Sequence, residues 1–140
     1  MKLSNNFKLN ELIYSSTAEI NNINNYPSQS EIYRLEQLCK TILQPIRDKF
    51  GKAIYVTSGY RNPILNRKVK GSPSSQHIKG EAADITSIDN RMLWDMIIEM
   101  INNKEITVGQ LIWECGDEES PDWIHISLPY KKTNEILYLR

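Results

Sequence analysis

The chain has 140 residues, 40% hydrophobic and 24% charged, enough to bury a core as one domain over residues 1–140 and too apolar for a disordered segment. Lys+Arg and Asp+Glu both total 17, so the net charge is zero. That balance argues against a protein that binds nucleic acid through a basic face, and no nucleic-acid partner is expected.

The opening "MKLSNNFKLNELIY" contains no uninterrupted apolar stretch of signal-peptide length, and no window approaches a membrane span. The expectation is a chain made in the cytoplasm that does not insert into a membrane. "NNINNYPSQS" (21–30) is polar, contains proline and reads as a loop. It leads into a capping-box spacing, with Ser28 as the cap and Glu31 reaching back. Ile32, Leu35, Leu38, Cys39, Ile42, Leu43, Ile46 and Phe50 then recur at helical spacing, and Pro45 should kink or interrupt the last turns.

"AIYVTS" (53–58) is β-branched and aromatic, hence a strand, and "GYRNP" (59–63) breaks it. A short helix over 63–70 should stop at Gly71. The basic run "NRKVKG" (66–71) reads as its solvated end. "AADIT" (82–86) is a short strand. A helix over 89–103 follows, with Met92, Met96, Ile97, Met100 and Ile101 on its apolar side. Strands are expected at 110–114, 123–127 and 135–139. Helices come early, strands late, and the links between the last strands are short. The pattern predicts an α+β fold with an antiparallel sheet and helices packed on one side. Cys39 and Cys115 belong to no C-x-x-C pair and are expected as reduced thiols.

Both histidines lie in suggestive surroundings. His77 sits in "SSQHIKGEAADI" (74–85), seven residues before Asp84, and Gly80 between them permits a tight turn. His125 sits in "PDWIHIS" (121–127), where a period of two places it with Trp123 and Ser127, opposite Ile124 and Ile126. Two imidazoles and one carboxylate are the ligand set of an enzymatic zinc site with one open position. On spacing alone, two unrelated surface or hydrogen-bonded histidines explain these residues as well.

The run Ser75-x-His77-x-x-Gly80-x-Ala82-x-Asp84, with the later Asp122-x-x-His125, resembles the zinc D-Ala-D-Ala metallopeptidases of the M15 group. "TSGYRNP" (57–63) resembles that group's strand-to-loop element, and "FKLNELIYSSTA" (7–18) the opening of its small, phage-type members. The resemblance implies a single domain of the hedgehog/DD-peptidase type, with Zn2+ held by His77, Asp84 and His125. It implies Asp122 as the catalytic acid and base. Arg61 corresponds to the group's arginine, as oxyanion stabiliser or carboxylate anchor. Some members carry a further histidine just before the catalytic acid, whereas this chain has Glu119, Ser120 and Pro121 there. Ser75 and Gln76 stand close enough in sequence to His77 to orient it or to bind a substrate amide, and Trp113 and Glu114 end a strand expected to border the cleft.

The implied activity is hydrolysis of amide bonds in the peptide part of bacterial peptidoglycan, as a D-Ala-D-Ala carboxypeptidase or an endopeptidase, endolysin-like. The expected partner is the peptidoglycan peptide, the expected state a monomer, and the expected place of action the cell wall after release or holin-type export. A competing reading is an inactive cell-wall peptide-binding module with a structural zinc. A third is a cysteine hydrolase built from Cys115 and His125.

Overall fold

The computed structural model describes residues 1–140. The chain opens with an antiparallel hairpin of β1 (Lys2–Ser4) and β2 (Phe7–Lys8), followed by two single-turn helices, α1 (Leu9–Ile13) and α2 (Ser16–Ile20). These elements are too short for either hydrophobic period to register in sequence, yet Leu3, Phe7, Leu9 and Leu12 are all buried.

Helix α3 (Gln29–Leu38) starts where the capping box places it. The Ser28 hydroxyl accepts from Glu31 N–H, and Ser28 N–H donates to the Glu31 carboxylate at 2.8 Å. Its continuation to Phe50 passes through a π-helical stretch, Cys39–Leu43, into α4 (Gln44–Phe50). Pro45 explains the change of gauge. Proline has no N–H to donate, and its ring crowds the carbonyl four residues back. The turn widens, and Gln44 N–H reaches the Cys39 carbonyl five residues back. The interruption expected from Pro45 is thus a widening just before it, with the apolar face uninterrupted.

Next come β3 (Tyr55–Ser58), α5 (Pro63–Lys68), a 3-10 turn (Gln76–Lys79) and β4 (Ala82–Thr86). The chain ends with α6 (Asn90–Asn102), β5 (Gln110–Glu114), β6 (Trp123–Ser127) and β7 (Glu135–Leu139). Helix α5 gives way at Val69, and the positive φ falls on Lys70 rather than on Gly71. On α6, Leu93, Trp94, Ile97, Met100 and Ile101 are buried, whereas Met92 faces solvent at 49% exposure.

The five strands β3 to β7 make one sheet in the order β3-β4-β6-β5-β7, and the fold is α+β. The first four are antiparallel neighbours, as the short links predict; β7 runs parallel to β5 and makes the sheet mixed. Residues 128–134 step over the start of β5 instead of folding back on β6. Asn134 fixes that step, exchanging hydrogen bonds with the Val108 backbone through its side-chain oxygen and its own N–H.

Strand alternation gives the sheet two chemically different faces. Ala83 and Ile85, Leu111 and Trp113, and Ile124 and Ile126 are buried in one core cluster with the apolar sides of α3, α4 and α6. Asp84, Ile112, Glu114, Trp123 and His125 lie on the opposite face and line a cleft. No helix is long and apolar enough to cross a membrane.

Candidate metal centre

Two strands and one turn bring the distant polar residues together. On the cleft face, Asp84 of β4 is the register partner of His125 of β6, and His125 is in turn the partner of Ile112 of β5. His77 arrives from the 3-10 turn. Its cap, Ser75, accepts from His77 N–H through its hydroxyl at 3.1 Å. Gly80 ends the turn in the left-handed region, φ +73°, so that the chain can enter β4 at once. A Cβ at Gly80 would lie 2.9 Å from the Glu31 carbonyl oxygen, so the same glycine lets the turn sit against α3.

The ligand atoms of His77, Asp84 and His125 all lie within 4.8 Å of one another. His125 Nδ1 is 3.0 Å and His77 Nε2 3.3 Å from the same Asp84 carboxylate oxygen, Oδ1. The two rings stand edge to face with centroids 5.2 Å apart. His77 is 3% exposed, and its tautomer is dictated by its other nitrogen. Nδ1–H donates to the Gly59 carbonyl at 2.7 Å, and since a carbonyl can only accept, the Nε2 lone pair is left for the centre. A second bond, Arg61 N–H to the His77 carbonyl at 3.1 Å, clips the loop after β3 to the turn. The acceptor that orients the His77 ring is therefore the Gly59 carbonyl, not Ser75 or Gln76. A Cβ at Gly59 would approach the Leu12 carbonyl oxygen to 2.1 Å, so only glycine lets the loop lie close enough to α1.

The electrostatics match a cation site. Burial works to raise the Asp84 pKa, but the two imidazoles packed against its carboxylate hold it well below the usual carboxylate range. Two imidazole nitrogens and one carboxylate oxygen, nearly in contact and open on one side, form a donor set that suits a divalent metal ion.

The cleft over this centre has a volume of about 530 Å³. Arg61, Ser75 and Gln76 line it with the three converging residues, and only Val69, Ile112 and Trp123 among its walls are apolar. Arg61 forms no ion pair, and its buried Nε–H has no partner within the protein. Burial lowers the guanidinium pKa, with Asp84 and then Glu114 opposing. An arginine held this way is a charged donor in search of an anion. Lys70, from the basic run at the end of α5, adds a second cation to the rim.

Asp122 is not brought to the cleft. It is exposed, its N–H donates to the Glu114 carbonyl at 3.0 Å, and its own carbonyl accepts from Asn90 Nδ2 at 3.0 Å. One bond ties Asp122 to the end of β5 and the other ties it to the start of α6, and its side chain is not among the cleft walls. The carboxylate on the cleft wall beside the centre is that of Glu114. Half-buried, it ends β5 on the cleft face beside Arg61, His77, Asp84 and His125. Its carboxylate is engaged in no salt bridge or side-chain hydrogen bond. Burial raises its pKa and the charge of Asp84 adds to that, while His125, His77 and Arg61 pull the other way. Of the two residues expected to end a strand at the cleft border, Glu114 lies on the cleft wall and Trp113 is in the core, and no spacing to His125 marks Glu114 further.

Cys115 is exposed at φ +55°, with its N–H bonded to the Leu139 carbonyl. It is absent from the cleft walls, which removes the Cys115–His125 pairing. Cys39 is fully buried, and burial pushes its thiol up to about 12. Trp113 points to the core side, edge to face with Trp94 at 5.4 Å.

A family model described as Peptidase M15 matches residues 5–127. No curated protein matches the chain.

Proposed function

The chain belongs to the peptidase M15 family, a family of metallopeptidases, and on that premise we propose that it uses zinc to hydrolyse amide bonds in the peptide part of bacterial peptidoglycan. The observation that carries this reading is the convergence of His77, Asp84 and His125 on one point at the floor of a polar cleft. These three would hold the ion, His77 through Nε2 and His125 through Nδ1. When bound, such an ion supplies Lewis-acid polarisation of a carbonyl and makes water more acidic.

The remaining chemistry falls to the chain itself. Arg61, with a free buried Nε–H, would bind the developing oxyanion or a carboxylate of the substrate. Ser75 and Gln76, on the cleft wall, would bind substrate amides, with Ser72, Ser74 and Gln110 beside them. Peptidoglycan stem peptides are short, extended and rich in carboxylates. A polar trough with Arg61 and Lys70 on its walls suits them better than an apolar pocket would. D-Ala-D-Ala carboxypeptidase and endopeptidase action both fit this wall chemistry, on substrate reached outside the membrane, in the manner of an endolysin.

The test is direct. Zinc-loaded protein is incubated with purified muropeptides of several wall chemistries, and the products are weighed by mass spectrometry. Products whose masses sum to the substrate's plus one water per cut, abolished by chelator and restored by zinc, are expected. Intact muropeptides throughout, with zinc bound, would overturn the reading and leave a peptide-binding module with a structural metal.

A further inference from the structure

We propose that Glu114, and not Asp122, is the side chain that takes the proton from the attacking water and hands it to the leaving amine. The proposal rests on the hydrolytic reading above and assigns a residue within it. Position is the first ground. Glu114 is the register partner of Trp123, which lies two residues before His125 on the same strand face. That makes Glu114 the diagonal neighbour of His125, a relation spanning about 7–8 Å between Cα atoms and within reach of a long side chain. It lines the cleft together with all three converging residues and Arg61.

Availability is the second ground. Asp84 is tied to both imidazoles at 3.0 and 3.3 Å. Asp122 is exposed and outside the cleft, with its backbone fastened to β5 and to Asn90. Glu114 is the one carboxylate on the cleft walls besides Asp84, and it is uncommitted.

The step balances. The water oxygen bonds to the amide carbon as one water proton moves to Glu114. The C–N bond then breaks, the carbonyl re-forms, and the proton passes from Glu114 to the amine nitrogen. No redox partner or further reactant enters.

Wild type, Glu114→Gln and Asp122→Asn, each loaded with zinc, are compared in metal content, melting temperature, kcat and KM on a muropeptide. Glu114→Gln should keep one zinc and its melting temperature, hold KM, and lose about 10²–10⁴-fold in kcat. Asp122→Asn should keep kcat within a small factor. A second measurement does not depend on turnover. With cobalt(II) in place of zinc, the pH midpoint of the visible spectrum should move in Glu114→Gln and stay in Asp122→Asn. If wild type fails to cleave but that spectral shift is present, the substrate reading falls and the placement of Glu114 stands. Should Glu114→Gln not fold, Glu114→Asp replaces it, with a reduced kcat and retained zinc expected. A large loss in Asp122→Asn with activity kept in the Glu114 variant, or a spectrum indifferent to Glu114, overturns the proposal.

Discussion

Gly80 ties the turn carrying His77 to the strand carrying Asp84, and it does so at φ +73° against the Glu31 carbonyl. An L side chain in that conformation costs about 1–2 kcal/mol, and the close approach to α3 adds to it. Gly80→Ala should therefore lower the unfolding free energy by about 2 kcal/mol or more in denaturant titrations, and weaken metal binding alongside. At this scale much was legible. His77, Asp84 and His125 stand in short segments whose residue types point to a metal, and the structure brings the three together. Glu114 was legible only as the end of a strand bordering the cleft. Asp122 has the suggestive spacing to His125, but a residue three before it along an extended chain falls on the other face. Glu114 approaches from a neighbouring strand, and pairing between strands leaves no mark in local spacing.

Among the elements, those with a period long enough to count were readable to within a residue or two. Strands β4, β5, β6 and β7 occupy the predicted residues, and α3 begins at its capping box. Ser28→Ala removes the hydroxyl that accepts from Glu31 N–H and should cost about 1 kcal/mol of stability, read from the denaturation midpoint, without touching the metal centre. The π-helical stretch before Pro45 was not readable in kind. A proline announces a broken hydrogen-bond ladder, but whether the helix kinks or widens depends on what its apolar face packs against. Met92 shows the same limit on α6. It fits the apolar periodicity yet projects into solvent, because the stripe that packs is centred on Leu93, Ile97 and Met100.

For the molecule as a whole, the centre couples metal binding to folding. A site assembled from residues 77, 84 and 125 exists only when the turn, β4 and β6 are in place, so an ion that binds it favours the folded chain. Zinc at about a hundred times its Kd should add about 2.7 kcal/mol, a rise in Tm of roughly 10 °C for a domain of this size. Differential scanning fluorimetry with and without chelator checks this, and His77→Ala should abolish the gain while still folding. Composition, periodicity and capping settle the α+β class and most element boundaries, because each depends on residues within a few turns of one another. The parallel placement of β7, the Gly59 acceptor for His77 and the presence of Glu114 rather than Asp122 on the cleft walls were settled only in three dimensions. Each depends on which strands and loops become neighbours, and that is decided by burial of the whole core rather than by any one segment.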